Sequence, residues 1–241
     1  MDPIAARNEL GLKLAGDGFA FLSGEAFDCM LPAEAVASAA WDGFAASWDN
    51  MPLDEYMADG GRYRRRRFGV FSAISNQTIR RAPHQAHYQT RDYNALNGGV
   101  ERWFEPIGDD VAAGLTFQAL LGFTRSLFEE RIGSVAWHIE AHQFRIEAPS
   151  DGAGLPTPEG MHRDGVDFVF VLMVRRENIK QGTTTIHDLA GNDLGSFTLT
   201  RPRDSALVDD RRVFHGVTPV VPIDPARPAF RDVLVLTYRR V

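Results

Sequence analysis

The chain has 241 residues, 44% of them hydrophobic and 24% charged, with a formal net charge of −6. That length suits one large globular domain or two small ones, and the acidic balance weighs against nucleic acid or an anionic membrane as the main partner. The opening "MDPIAARNELGLKL" has no basic segment leading into an apolar one, and no apolar run reaches the roughly 20 residues of a membrane-spanning helix. The single cysteine, Cys29, forms no internal disulfide, so a reducing cytoplasm is expected, with Cys29 a buried bystander between apolar neighbours.

In chain order, "DGFAFLSG" (17–24) reads as a short strand between glycines, and the Ala-rich "PAEAVASAAWDGFAASW" (32–48), with Pro in front, as a helix. "GGRYRRRRFG" (60–69) is the loudest charge feature; it reads as a charged strand or loop whose alternate arginines meet acids, with one arginine able to reach a pocket mouth. "DDVAAGLTFQALLGFTRSLFEE" (109–130) has acids in its first turn and Leu120, Phe123, Leu127 and Phe128 at helical spacing, which predicts a long amphipathic helix. From about residue 135 the texture changes to short strand-like runs separated by turn signals such as "PSDGAG", "NIKQG" and "PIDPARP". Many strands at short spacing indicate a sandwich or barrel. The expectation is a single domain over 1–241, mainly β with flanking helices (α+β): an α-rich supporting half (1–134) and a jelly-roll core of double-stranded β-helix type (135–241).

Within "GMHRDGVDFVFVLMV" (160–174), His162 and Asp164 are two positions apart, just before an apolar run. In extended chain, residues i and i+2 point to one side, so an imidazole and a carboxylate aim at one point. His215, in the late strand-like run "RRVFHGVTPV", is the best third donor. Two histidines and one carboxylate on one face of an ion form the facial triad of non-haem Fe(II) oxygenases, which leaves room for dioxygen and a co-substrate. His138 and His142, with Glu140 between them, are the rival set, while His84, His87 and His187 read as structural. There is no G-x-S-x-G, P-loop or G-x-G-x-x-G after a strand, so hydrolase, phosphate and dinucleotide readings are poor.

The order H-x-D, strands, His, then Arg on the final strand resembles the 2-oxoglutarate-dependent double-stranded β-helix dioxygenases. The segments 83–107, 140–148 ("EAHQFRIEA"), 159–178, 182–189 ("GTTTIHDL"), 206–220 and 231–240 ("RDVLVLTYRR") are similar to a bacterial 2OG-Fe dioxygenase family that includes hydroxylases of free aliphatic amino acids, some members being named for biofilm and stress phenotypes. The resemblance covers nearly everything from residue 52 onward. It implies Fe(II) on His162, Asp164 and His215, with 2-oxoglutarate and dioxygen as co-substrates and hydroxylation or S-oxidation of a small molecule, most readily a free L-amino acid. It further implies an arginine gripping the far carboxylate of 2-oxoglutarate, for which Arg231 is preferred over Arg227 in the loop-like "DPARP", and a threonine, Thr184, helping to orient that co-substrate. Arg145, amid apolar neighbours, is expected either to reach a substrate carboxylate or to pair with Glu140 or Glu147. The alternative function is a non-catalytic cupin-like module in stress or biofilm signalling.

Overall fold

In the computed structural model, residues 2–74, 77–94 and 96–241 are described. An N-terminal group holds α1 (Pro3–Asp17), β1 (Phe19–Leu22), α2 (Gly24–Asp28), α3 (Ala33–Val36) and α4 (Ser38–Ala46). Then come β2 (Arg64–Ala73), β3 (Arg80–Arg81), α5 (Asp109–Ala113) and α6 (Leu115–Ile132). The remaining strands are β4 (Trp137–Glu147), β5 (Phe168–Glu177), β6 (Ile179–Gln181), β7 (Thr183–Asp188), β8 (Asp193–Thr198), β9 (Ser205–Asp209), β10 (Val213–Val217), β11 (Val220–Pro222) and β12 (Phe230–Arg240).

Local chemistry explains the helix boundaries. α1 starts on an Asp2 cap that accepts from the Ile4 N–H, carries Pro in its first turn and stops at Gly18 in the left-handed region. The predicted helix 32–48 is two helices, broken at Ala37, which is extended at ψ 142°. The predicted helix 109–130 is likewise divided, at extended Gly114, a residue with little helical preference. Cys29 is half-buried rather than buried, with Sγ donating to the Ala26 carbonyl.

Seven strands form the major sheet in the order β1-β9-β5-β12-β4-β2-β3, faced by smaller sheets β10-β7-β8 and β11-β6, all pairs antiparallel. This is the jelly-roll architecture flanked by helices. One face of the major sheet is sealed by helices: Trp137, Ile139, Phe168, Phe170, Leu172, Leu234, Leu236 and Tyr238 pack in one core with Leu120, Phe123, Leu127 and Phe128 of α6. The other face packs Val169, Val208 and Met173 against Ile186, Val213 and Leu199 of the smaller-sheet side. β5 is therefore apolar on both faces, which is why its sequence does not alternate. β2 runs between β4 and β3, so the arginine-rich segment is a strand of the major sheet, with Arg65 paired to Arg145 and Arg67 to Gln143 in register.

Candidate metal centre and its cavity

Alternation along the central strands decides what reaches the interior. On β4, His138, Glu140, His142, Phe144 and Ile146 line a cavity of about 440 Å³ between the sheets, while the intervening positions face the helices. On β12 the lining residues are Arg231, Val233, Val235, Thr237 and Arg239, and on β2 they are Arg64 and Arg66. The volume falls within the roughly 300–1,000 Å³ of small-molecule sites.

His162, Asp164 and His215 all line this cavity, and one donor atom from each lies within 4.8 Å of the other two. Backbone pairing brings them together. His162 and His215 exchange both N–H···O bonds, each at 2.9 Å, so the segment before β5 is joined to β10 at the two histidines themselves. Their ring centroids are 4.5 Å apart. His162 Nδ1 lies 3.0 Å from the Gly160 carbonyl, a bond that requires a proton on Nδ1 and, in the neutral ring, leaves the lone pair on Nε2. Nε2 of His162 is 3.8 Å from Asp164 Oδ1, and Nε2 of His215 is 3.5 Å from Asp164 Oδ2. These gaps are too long for hydrogen bonds but lie within the span of two metal–ligand bonds of about 2 Å each.

Asp210, which the sequence reading passed over, holds the turn behind Asp164. Its carboxylate accepts from the backbone N–H groups of Asp164 (2.8 Å), Gly165 (2.8 Å) and Val166 (3.1 Å), and it is 1% exposed. Gly165 is required there: its φ is +79°, and a Cβ would fall 2.6 Å from the Tyr93 ring. Charges in the site are tightly balanced. Burial works to raise the Asp164 pKa, but His162 and His215 hold it below the usual carboxylate value. Burial followed by the His162 cation pushes His215 down to about 4. Burial and the Asp164 charge push Asp210 up to about 7.

A second trio, His87, Glu140 and His142, also lies within 4.8 Å in the same cavity. Its bonding differs. Arg66 Nη2 is 2.8 Å from His142 Nδ1, and because a guanidinium only donates, Nδ1 accepts and the ring proton sits on Nε2, 3.6 Å from Glu140. Nδ1 of neutral His142 is thereby committed to Arg66, while its Nε2 proton faces Glu140 across a gap too long for a hydrogen bond. His87 Nδ1 lies 2.9 Å from Glu140 Oε2 and His138 Nε2 3.3 Å from Oε1. Burial opposes ionisation of Glu140, but these imidazole partners outweigh it and hold its pKa well below normal.

Arg231 is 3% exposed and lines the cavity, and its Nε and Nη1 have no hydrogen-bond partner among the described residues. Arg227 points elsewhere, 61% exposed and paired with Glu177 at 3.1 Å. Thr184 is buried opposite Val217 but does not line the cavity, so the expected contact to 2-oxoglutarate is not carried forward. Arg145 is a correction. It does not line the cavity: its Nε and Nη2 donate to Asp232 at 2.7 and 2.8 Å, on the helix-facing side of the sheet. The reason is parity, since Arg145 alternates with Phe144 and Ile146, which face inward. Two arginines of the charged run do reach the cavity, Arg64 and Arg66, joined by Arg102.

Comparison with known proteins identifies the family. Residues 45–237 match the family described as 2OG-Fe dioxygenase. A 3(1)-hydroxy-L-isoleucine 4-dioxygenase from Pantoea ananatis is 26% identical over 96% of this chain and 96% of its own. An L-isoleucine-4-hydroxylase from Bacillus thuringiensis is 27% identical over 63% of this chain, a match that spans only 64% of that protein's length. The crystal structure of a bsmA homologue from Methylobium petroleophilum PM1 superposes with a TM-score of 0.86 at 40% identity, covering 97% of this chain and 93% of that one. No helix among the described residues is long and apolar enough to cross a membrane.

Proposed function

The chain belongs to the 2OG-Fe dioxygenase family, enzymes that take Fe(II), 2-oxoglutarate and dioxygen, and from that premise we propose that it oxidises a free aliphatic L-amino acid, by hydroxylation or S-oxidation. The observation that carries the site assignment is the convergence of His162 Nε2, His215 Nε2 and Asp164 on one point of the cavity between the sheets. The residues fit the metal: two imidazole donors and one carboxylate form the donor set typical of non-haem iron, and the Gly160 bond keeps His162 in the tautomer a ligand needs. The amino-acid class rests on the two isoleucine-related enzymes.

In this reading His162, Asp164 and His215 hold the iron, which when bound supplies the oxidising power for attack on an unactivated C–H bond or a thioether. The protein's own part is placement and exclusion of water. Arg231 meets the distal carboxylate of 2-oxoglutarate, because a buried guanidinium with two nitrogens lacking partners among the described residues is costly until it meets an anion. Its pKa is lowered to about 10 by burial and by the Arg176 cation, so it remains charged at neutral pH. Val169, Val171, Val233 and Val235 supply the apolar wall.

The test is anaerobic addition of Fe(II) and 2-oxoglutarate, which is expected to give a weak visible charge-transfer band. Arg231→Met should raise the concentration of 2-oxoglutarate needed for half-maximal band by roughly a hundredfold, the worth of two charge-assisted hydrogen bonds. Folded wild-type protein without a band would overturn the iron assignment. A panel of the twenty amino acids, read by succinate release above the uncoupled background, tests the substrate class.

A further inference from the structure

The cavity contains more buried positive charge than Arg231 explains. Arg64, Arg66 and Arg102 are 6%, 4% and 1% exposed, and all three line it. Among the described residues only Arg64 has an ion-pair partner, Asp54 at 2.7 Å. Each guanidinium keeps a buried nitrogen without a hydrogen-bond partner among the described residues: Arg64 Nη2, Arg66 Nε and Arg102 Nε. Three buried guanidiniums with one ion-paired carboxylate among them are costly, even with Glu140 and Glu159 in the same lining, and an anion between them offsets the cost. Burial lowers the pKa of both Arg66 and Arg102, and the Arg64 cation lowers both further.

These groups are held rigidly rather than left to find solvent. Arg66 lies between two rings, 4.0 Å from the Phe104 centroid and 4.7 Å from Phe144, and donates to His142. Arg102 Nη2 donates to Gln89 Oε1 at 3.3 Å, while Gln89 Nε2 donates to the Asp164 carbonyl at 3.2 Å and to its Oδ1 at 3.4 Å. A single glutamine therefore separates this cluster from the metal centre. Along the sheet, Ile146 of β4 stands between Arg64 and Arg231, so the two cationic groups flank an intervening strand.

We propose that Arg64, Arg66 and Arg102 form a second anion site, separate from Arg231, which takes the α-carboxylate of the amino-acid substrate and so sets its side chain beside the metal centre. This rests on the reading that the substrate is a free amino acid. The reaction brings two carboxylate-bearing molecules into one cavity, and two cationic sites meet them, Arg231 and the three-arginine cluster. Glu159, a lining carboxylate outside the metal trio whose buried Oε2 has no hydrogen-bond partner among the described residues, supplies negative charge for the ammonium.

The experiment compares the amino acid giving the most succinate with its primary amide, in wild type and in Arg102→Gln. In wild type the amide should need about ten to a hundred times the concentration for half-maximal turnover, the loss expected when a charge-assisted contact is removed. Arg102→Gln should raise the amino acid's KM by a similar factor, lose most of the acid-over-amide preference, and leave the anaerobic 2-oxoglutarate band half-saturating within about twofold of wild type. The ligand comparison needs no variant, so a misfolded protein does not block it. An amide that works as well as the acid overturns the proposal. So does an unchanged KM in folded Arg102→Gln, or a variant that loses 2-oxoglutarate affinity instead, which would make the cluster a co-substrate site. A wild-type band with no response to any amino acid sinks the zwitterion site and leaves the iron assignment standing; no band at all sinks the iron assignment itself.

Discussion

Two trios of the same composition, two imidazoles and a carboxylate, line one cavity: His162, Asp164 and His215, and His87, Glu140 and His142. Composition and spacing do not separate them; the bonds to their outer nitrogens do. In the first, a backbone carbonyl takes the His162 Nδ1 proton and leaves Nε2 facing Asp164. In the second, Arg66 occupies the lone pair of His142 Nδ1, which puts the proton on the nitrogen facing Glu140. A metal needs lone pairs: His215, whose Nδ1 has no hydrogen-bond partner among the described residues, is free to present Nε2, whereas His142 could do so only by giving up its bond from Arg66. The second is built to stabilise a buried carboxylate within reach of a basic wall.

The largest effect expected from this contrast is in metal binding. His215→Ala should abolish the anaerobic band and cut succinate release by more than about a hundredfold, beyond what losing an outer-shell partner costs. His142→Ala should still bind one metal per chain, even if it is less stable for the loss of the Arg66 contact. Metal retained by His215→Ala and lost by His142→Ala would reverse the assignment. A smaller effect is expected at Asp210, which the second trio has no counterpart for: Asp210→Asn should keep the fold by circular dichroism and weaken metal affinity by about ten- to a hundredfold, since it loosens the turn carrying Asp164.

The pH dependence sharpens the contrast further. In the metal-free protein, burial lowers the His162 pKa, but Asp164 and Glu159 outweigh it and raise it above 6.5. His215 is pushed to about 4 and Asp164 is held below 3.8, so both are already deprotonated near neutrality. Below its pKa His162 must therefore give up a proton to a metal, and by offsetting the Asp164 charge the metal also favours loss of the proton from Asp210, which that charge and burial push up to about 7. Affinity should fall as the pH drops through the His162 pKa, as measured by anaerobic metal titration at a series of pH values. The smallest effect on catalysis is expected at Arg145. Arg145→Ala leaves buried Asp232 with one fewer partner and should lower unfolding stability by about 3 kcal/mol in urea, while KM for either substrate stays unchanged.

Much of the candidate site was legible in the chain. The H-x-D pair ahead of an apolar strand, a histidine in a late strand and an arginine opening the last one are all local patterns, and Arg231 and His215 lie in the cavity where those patterns aimed them. Arg145 shows a signal present but unused: it sits on the odd positions of a strand whose even positions carry His138, Glu140 and His142, so alternation already turned it away. Asp210 left no such mark. In "SALVDDRR" nothing separates it from Asp209, and its role exists only because the turn at 164–166 comes to it from more than forty positions away.

Strand alternation, helix caps and the choice of donor residues were determined by the sequence alone, because covalent geometry fixes which neighbours share a face. Which face became the interior, which of two similar trios kept its lone pairs free, and which arginines were left unmatched were decided only by the tertiary structure. Those outcomes depend on partners such as Arg66 for His142, 76 positions apart, and Asp232 for Arg145, 87 apart, and a hydrogen bond or ion pair exists only once folding has brought both halves together.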